Sequence, residues 1–319
     1  MKKMNKKGFT YIIAVSFLLV TLIVVYLNVT NYGFQDQQEL YKSRILAMNS
    51  FVQDFNQDVH RASYISSFRT LLSLEDYVAV TGDFFNNTEE QFRETFYSGK
   101  INGSDVELMN GSSFEDYLIK VNYVAKKIGL FSNVNVTNIT LSQSDPWSID
   151  VVVTIIVNIT DKHNIANWFY TKNYSTKVPI YDLRDPLYST FTFNRIPNTI
   201  RQLDVDYLVN GTNTTNLQLL INGSYYLASS KAPSFLQRFE NDVSPNPNGI
   251  ESVVNVGTIS AQDIDVCEDC IKLDYMYFND LTDDKLCDVQ NIDSGSYFVI
   301  PIEQNLTFEL STLTYSLTC

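Results

Sequence analysis

Four cysteines, two histidines and 36 acidic residues are what this 319-residue chain offers for chemistry. The cysteines all fall near the C-terminus, as Cys267, Cys270, Cys287 and Cys319, with a C-x2-C-x16-C-x31-C spacing. Zinc ribbons use two tight pairs and this spacing has one. A redox Cys-x-x-Cys works beside a βαβ unit, and none is legible here. Two disulfides are the expected state outside a cell. Three connectivities are open. Cys267–Cys319 with Cys270–Cys287, or the crossed version, would tie down the chain end, each bond contributing about 3–4 kcal/mol. His60 falls in a helical stretch beside Arg61, and His163 in the turn-like Asp161-Lys162-His163-Asn164; both read as surface residues. Neither sits by a recognisable nucleophile, and HExxH, P-loop and GxGxxG patterns are missing. Asp280, Asp283, Asp284 and Asp288 cluster without the glycine and closing glutamate of a calcium loop, and read as a solvated acidic loop. The expectation is a non-enzymatic protein without catalytic residues, metal or cofactor.

The elements that position these residues begin with an apolar rod. From Phe9 to Leu27 there is no charge, and a helix of that length spans about 28 Å, close to the hydrocarbon thickness of a bilayer. Lys2, Lys3, Lys6 and Lys7 precede it, and the first charge after it is Asp36. That asymmetry predicts a cytoplasmic N-terminus, with residues 28–319 outside. A cleaved secretory signal would need small residues after the run, where Tyr26-Leu27-Asn28-Val29 stands instead. An unprocessed signal anchor is the other plain alternative.

The order of basic leader, glycine, aromatic residue and apolar helix, in Lys6-Lys7-Gly8-Phe9-Thr10, resembles the class III signal of type IV pilins and pseudopilins. The resemblance covers about the first thirty residues. It implies cleavage after Gly8 by a prepilin-type peptidase, a mature chain starting at Phe9, and a retained helix that packs against sister subunits. Family members carry a glutamate at the fifth mature position, where this chain has Ile13. With no acid inside the span to meet a neighbour's N-terminal amine, the resemblance points to a minor or tip subunit, or to an anchored surface protein that never polymerises. A second resemblance, to archaeal pilin-like surface proteins, rests on Val178 to Tyr188, Ala232-Pro233-Ser234-Phe235-Leu236 and Gly249-Ile250-Glu251-Ser252. It implies no reaction.

A net charge of −13 repels polynucleotides, so nucleic acid is not an expected partner. Asn-x-Ser/Thr sequons begin at Asn28, Asn86, Asn102, Asn110, Asn135, Asn138, Asn158, Asn173, Asn210, Asn213, Asn222 and Asn305. All but Asn28, which lies too near the membrane, are candidates for glycosylation on an exported surface.

Along the chain, 28–33 reads as a softer joint because Asn28, Asn31 and Gly33 lower helix propensity. Tyr41, Ile45, Met48, Val52, Phe55, Val59 and Ala62 recur every three or four residues, predicting an amphipathic stem from 35 to about 64. Residues 65–130 predict helices over 67–80, from Asn87-Thr88 to Tyr97, and from Ser113 to Gly129. From Asn133 the period becomes two, predicting a hairpin around Ser144-Asp145-Pro146-Trp147, strands over 168–170 and 174–180, and a closing turn at Tyr181–Tyr188. Pro233 reads as the first residue of a short helix, with Arg238 and Glu251 either a fixing ion pair or, as is commoner, a solvated one. The expected fold class is α+β: a transmembrane helix continuing into a stem, then helical segments and an antiparallel β-sheet in an extracellular ectodomain. Its parts are a leader (1–8), span and stem (9–64), a helix-plus-sheet half (65–204) and a second α+β half with the cysteines (205–319). The expected function is a membrane-anchored, pilin-like surface protein; the alternative is a monomeric anchored binding or adhesion module.

Overall fold

The computed structural model describes residues 6–205, 215–262, 270–279, 286–293, 296–301 and 317–318. Helix α1 runs unbroken over Lys6–Thr81, 76 residues. The joint at 28–33 does not break it, and the stem and the 67–80 segment are one rod. A break would strand unpaired N–H and carbonyl groups at two new ends and demand a second nucleation. Gly33 costs only about 1 kcal/mol within a helix. The rod stops at Gly82, whose left-handed φ of +73° lets its N–H donate to the Val78 carbonyl at 2.9 Å.

Burial changes abruptly along α1. None of Gly8–Leu27 is buried by the rest of the chain. Tyr41 and Ile45, the first members of the predicted stripe, are exposed; Met48, Val52, Phe55 and Val59 are buried, followed by Leu71, Leu74 and Val78. The apolar period starts before the head does.

Helix α2 (Thr88–Ser98) is capped by Asn87, whose side chain accepts from the Glu90 N–H at 3.0 Å. A two-residue-stranded hairpin, β1 (Lys100–Ile101) and β2 (Ser104–Asp105), leads to α3 (Phe114–Lys127). Ser113 and Asp116 cap α3 reciprocally. Strands β3 (Leu130–Asp145), β4 (Ser148–Asp161) and β5 (Asn167–Pro179) form an antiparallel sheet in that order. The two strand signals at 168–170 and 174–180 are one strand, β5. The predicted turn joins β3 to β4, held by Asp145, which accepts from the Trp147 N–H at 2.9 Å. Val151, Val153, Ile155, Val157 and Ile159 of β4 all point into the core, and α1 packs over them.

Beyond the sheet lies α4 (Pro186–Phe191), a helix where the sequence predicts only a turn; Asp185 caps it with Pro186 at its first position. Then come α5 (Thr215–Gly223), β6 (Tyr226–Ala228), α6 (Phe235–Arg238), β7 (Ile250–Ser252) and α7 (Val256–Ser260). Strand β8 (Cys270–Lys272) and helix α8 (Asp274–Phe278) follow, then β9 (Leu286–Asp293), β10 (Ser296–Pro301) and β11 (Leu317–Thr318). Phe235, not Pro233, starts α6: Ser234 caps it in a capping box with Gln237, which leaves Pro233 outside the helix. β6 pairs with β7, and a second sheet runs β11-β9-β10-β8. Tyr226, Phe235, Phe239 and Ile250 share one core with α1 and β4, so that core runs across residue 204. The molecule is mixed helix and sheet with an N-terminal apolar helix.

Candidate functional site: an exposed rod and the ionic contacts that hold its head

The first half of α1 is the largest uncovered apolar surface among the described residues. Gly8–Leu27 is long and apolar enough to cross a membrane. A side chain added at Gly8 would meet nothing within 4 Å, and Phe9 is exposed; both lie within α1. Ile13 is exposed too.

The rod is tied to its head by Arg44, the first side chain among residues 38–47 to leave solvent. Its Nε donates to Asp161 Oδ1 at 3.0 Å, and Nη2 donates to Asp161 Oδ2 at 3.0 Å and to the Gly129 carbonyl at 3.4 Å. Burial alone would raise the Asp161 carboxyl; the Arg44 hydrogen bonds and the His163 N–H outweigh it and hold it below the usual range. One turn further on, an open groove of about 690 Å³ lies between α1 and α3, with Phe51, Phe55 and Val121 at its floor and Asp58, Arg61 and Lys120 among its walls. Mixed charges and wide exposure to solvent give this groove no reactive constellation.

At the far end of the head sits a buried ionic cluster. Arg238 Nη1 donates to Asp185 Oδ2 at 2.7 Å and to Asp274 Oδ2 at 2.8 Å, and Nη2 donates to the Ile250 carbonyl. Tyr226 donates to Asp185 Oδ2 at 2.7 Å and accepts from Asn198 Nδ2 at 2.8 Å; Ser252 donates to Asp274 at 2.9 Å. The predicted Arg238–Glu251 pair is therefore replaced. Arg238 lies on the inward face of α6 beside Phe235 and Phe239, and there it meets the cap of α4 and the first residue of α8. Burial pushes the Asp185 carboxyl up; the Arg238 charge opposes that and Asp274 reinforces it. All three charged residues are buried. A carboxylate pair with no path to solvent cannot receive a substrate, so the cluster is a joint between elements. The dipeptide Asp185-Pro186, a helix cap followed by a first-turn proline, was its one local signal; the partners lie 53 and 36 positions apart.

A second buried acid, Glu75 of α1, faces Arg184. Its Oε2 accepts from the Arg184 N–H at 3.2 Å, while Oε1 has no partner. Desolvation pushes its pKa up to about 8, against the pull of the Arg184 N–H and charge.

The remaining predicted positions are dispersed. Asn86, Asn102, Asn110, Asn135, Asn138, Asn173 and Asn222 are exposed; Asn158 on β4 is half-buried. Asn135, Asn138 and Asn173 lie on the outer face of the first sheet, away from α1. Asn210, Asn213 and Asn305 lie outside the described residues, as do Cys267, Cys319, Asp280, Asp283 and Asp284. The backbones of Cys270 and Cys287 are described: they stand opposite Tyr297 and Ile300 on either side of β10. His60 is exposed, its ring edge-on to Tyr174 at 5.4 Å, and His163 occupies the β4–β5 turn. Among the described residues no group of three acids, histidines or cysteines could hold a metal. No protein-family model, curated protein or solved structure matches the chain.

Proposed function

We propose that this chain is a membrane-anchored, non-enzymatic surface protein of pilin-like build, serving as a minor or tip subunit of a type IV pilus-like filament. The observation that carries the reading is the change of burial along one continuous helix. The twenty residues Gly8–Leu27 of its apolar run are unburied, while its second half forms the spine of a folded head. An apolar helix without a partner in its own chain needs lipid or sister helices around it. In this reading a prepilin-type peptidase cuts after Gly8, residues 28–319 face the exterior, and the freed rod packs against sister rods.

A second reading, a monomeric anchored binding or adhesion module, is favoured by one residue. Ile13 stands where an intramembrane carboxylate would pair with a neighbour's N-terminus, and without that pair the drive to polymerise is weaker. Mass spectrometry of protein extracted from membranes separates the two. A mature chain beginning at Phe9 supports the filament subunit; an intact Met1 with the leader retained removes it and leaves the anchored module.

A further inference from the structure

The part of the head nearest the apolar rod differs in charge from the rest of the molecule. Arg44 bonds to Gly129, at the start of β3, and to Asp161, at the end of β4. The Lys162 N–H donates to the Gly129 carbonyl at 3.0 Å, tying the two turns together. The C-terminal end of α3, the β4–β5 turn and the first residues of β5 thus form the base of the head, on the side where the rod enters. Four aromatic rings stand exposed there: Tyr123, Phe131, Trp168 and Phe169. Beside them are the exposed lysines Lys126, Lys127 and Lys162, with the Lys127 ammonium 4.4 Å from the Tyr123 ring centre. Residues 117–144 hold no acid, and residues 151–181 hold only Asp161, already paired with Arg44. In a chain of net charge −13 this base is cationic, with Asp36 and Glu39 of α1 the acids between it and the apolar run.

We propose that this base is a lipid-binding surface that lays the head against an anionic membrane. Aromatic rings partition to the headgroup layer. Each lysine close to an anionic leaflet strengthens attachment about fivefold. Arg44 follows Leu27 by 17 residues, about 25 Å of helix. The stretch up to Gln35 is uncharged and can occupy the headgroup layer. Transmembrane helices tilt by about 20° on average, and tilt of the rod lowers the base on one side. The inference rests on the anchored reading above.

The two tryptophans provide the test, because they sit at opposite ends of the sheet. Trp147 is in the β3–β4 turn, whereas Trp168 pairs with Ile159 near the base, about 35 Å away along the strand. Full-length protein is reconstituted in vesicles with about 30 mol% anionic lipid and a nitroxide-headgroup quencher. W147F, which keeps Trp168, is expected to be quenched about twofold more than W168F, which keeps Trp147. Replacing the anionic lipid with a zwitterionic one, or reversing Lys126, Lys127 and Lys162 to glutamate with an unchanged circular dichroism spectrum, is expected to abolish that difference. Equal quenching of the two proteins while both float with the vesicles overturns the proposal and leaves the anchor intact. Quenching that ignores lipid charge and follows protein density assigns the base to a second copy and overturns it as well. Protein that alkaline carbonate strips from the vesicles overturns the anchor and the docking together.

Discussion

Glu75 is the residue whose surroundings and ordinary chemistry disagree most. It is fully buried on α1, one oxygen has no partner, and desolvation holds its pKa at about 8. The folded state therefore keeps a proton that the unfolded chain releases near the ordinary 4.5. As pH rises through that interval, the unfolded form gains the free energy of ionisation and the folded form does not, so stability falls from about pH 4.5 to about pH 8 and then levels. Arg184 and Asp76, which pair with each other, and Asp185 are the charged groups bearing on it. Glu75→Gln keeps an oxygen for the Arg184 N–H and removes the titration. The substitution is expected to stabilise the protein by on the order of 3 kcal/mol at pH 8.5 and by little at pH 4.5. Urea unfolding at the two pH values measures this, and an equal gain at both would contradict it. Arg238 belongs to the opposite case: it is charged, its two Nη atoms bond to Asp185, Asp274 and the Ile250 carbonyl while Nε has no partner, and loss of the guanidinium would strand carboxylates in the core. Sequence spacing could not reveal either site, because each is assembled from helix ends brought together by tertiary packing.

At the scale of elements, what had a period was legible. The alternation of β4, the starts of α2 at Asn87 and α3 at Ser113, the β3–β4 turn and the buried part of the α1 stripe all follow from side-chain spacing and local hydrogen bonding. The length of α1 was not legible, since propensity marks weak places but gives no weight to the cost of two new helix ends. The start of the head along α1 was equally hidden, because Tyr41 and Ile45 share the stripe of Met48 and Val52 without a neighbour to cover them. Arg44 marks that start, and its bond to Asp161 is what couples rod to head. Arg44→Ala would leave the Asp161 carboxylate, 3% exposed, with little beyond the His163 N–H. The expected loss is about 1–3 kcal/mol at pH 7, reduced for the partial exposure of Arg44. Asp161 has a lowered pKa in the folded state, so its contribution is present above the unfolded carboxylate range and disappears as pH falls through the folded value. The variant and the parent should thus converge in strong acid. Chemical denaturation at pH 7 and at about pH 3 checks it; a loss that stays the same at both would mean that Arg44 acts through packing alone.

For the whole molecule, the arrangement divides along α1 rather than at a loop. The core draws on Met48, Val52, Phe55 and Val59 from the helix and on Tyr226, Phe235, Phe239 and Ile250 from beyond residue 204, so the head cannot be cut in the middle of its sequence without opening that core. Gly249 shows how closely the late segments fit the rest. A Cβ there would lie 2.0 Å from the Ala232 carbonyl oxygen, leaving no room for any side chain. At the other end, Gly8–Leu27 shares no buried surface with the head, and the first buried side chain among the described residues of α1 is Met48. Helix stability in this class of structure comes mainly from the packed face, so the uncovered half contributes little to the fold. Deleting residues 1–37 is accordingly expected to yield a water-soluble monomer that unfolds cooperatively, with a free energy within about 1 kcal/mol of the detergent-solubilised parent. The same deletion should abolish co-flotation with vesicles. Urea titration and flotation read the two outcomes separately. A truncated head that fails to fold would mean that the exposed rod supports the core, and its solvent exposure would then no longer argue for a membrane.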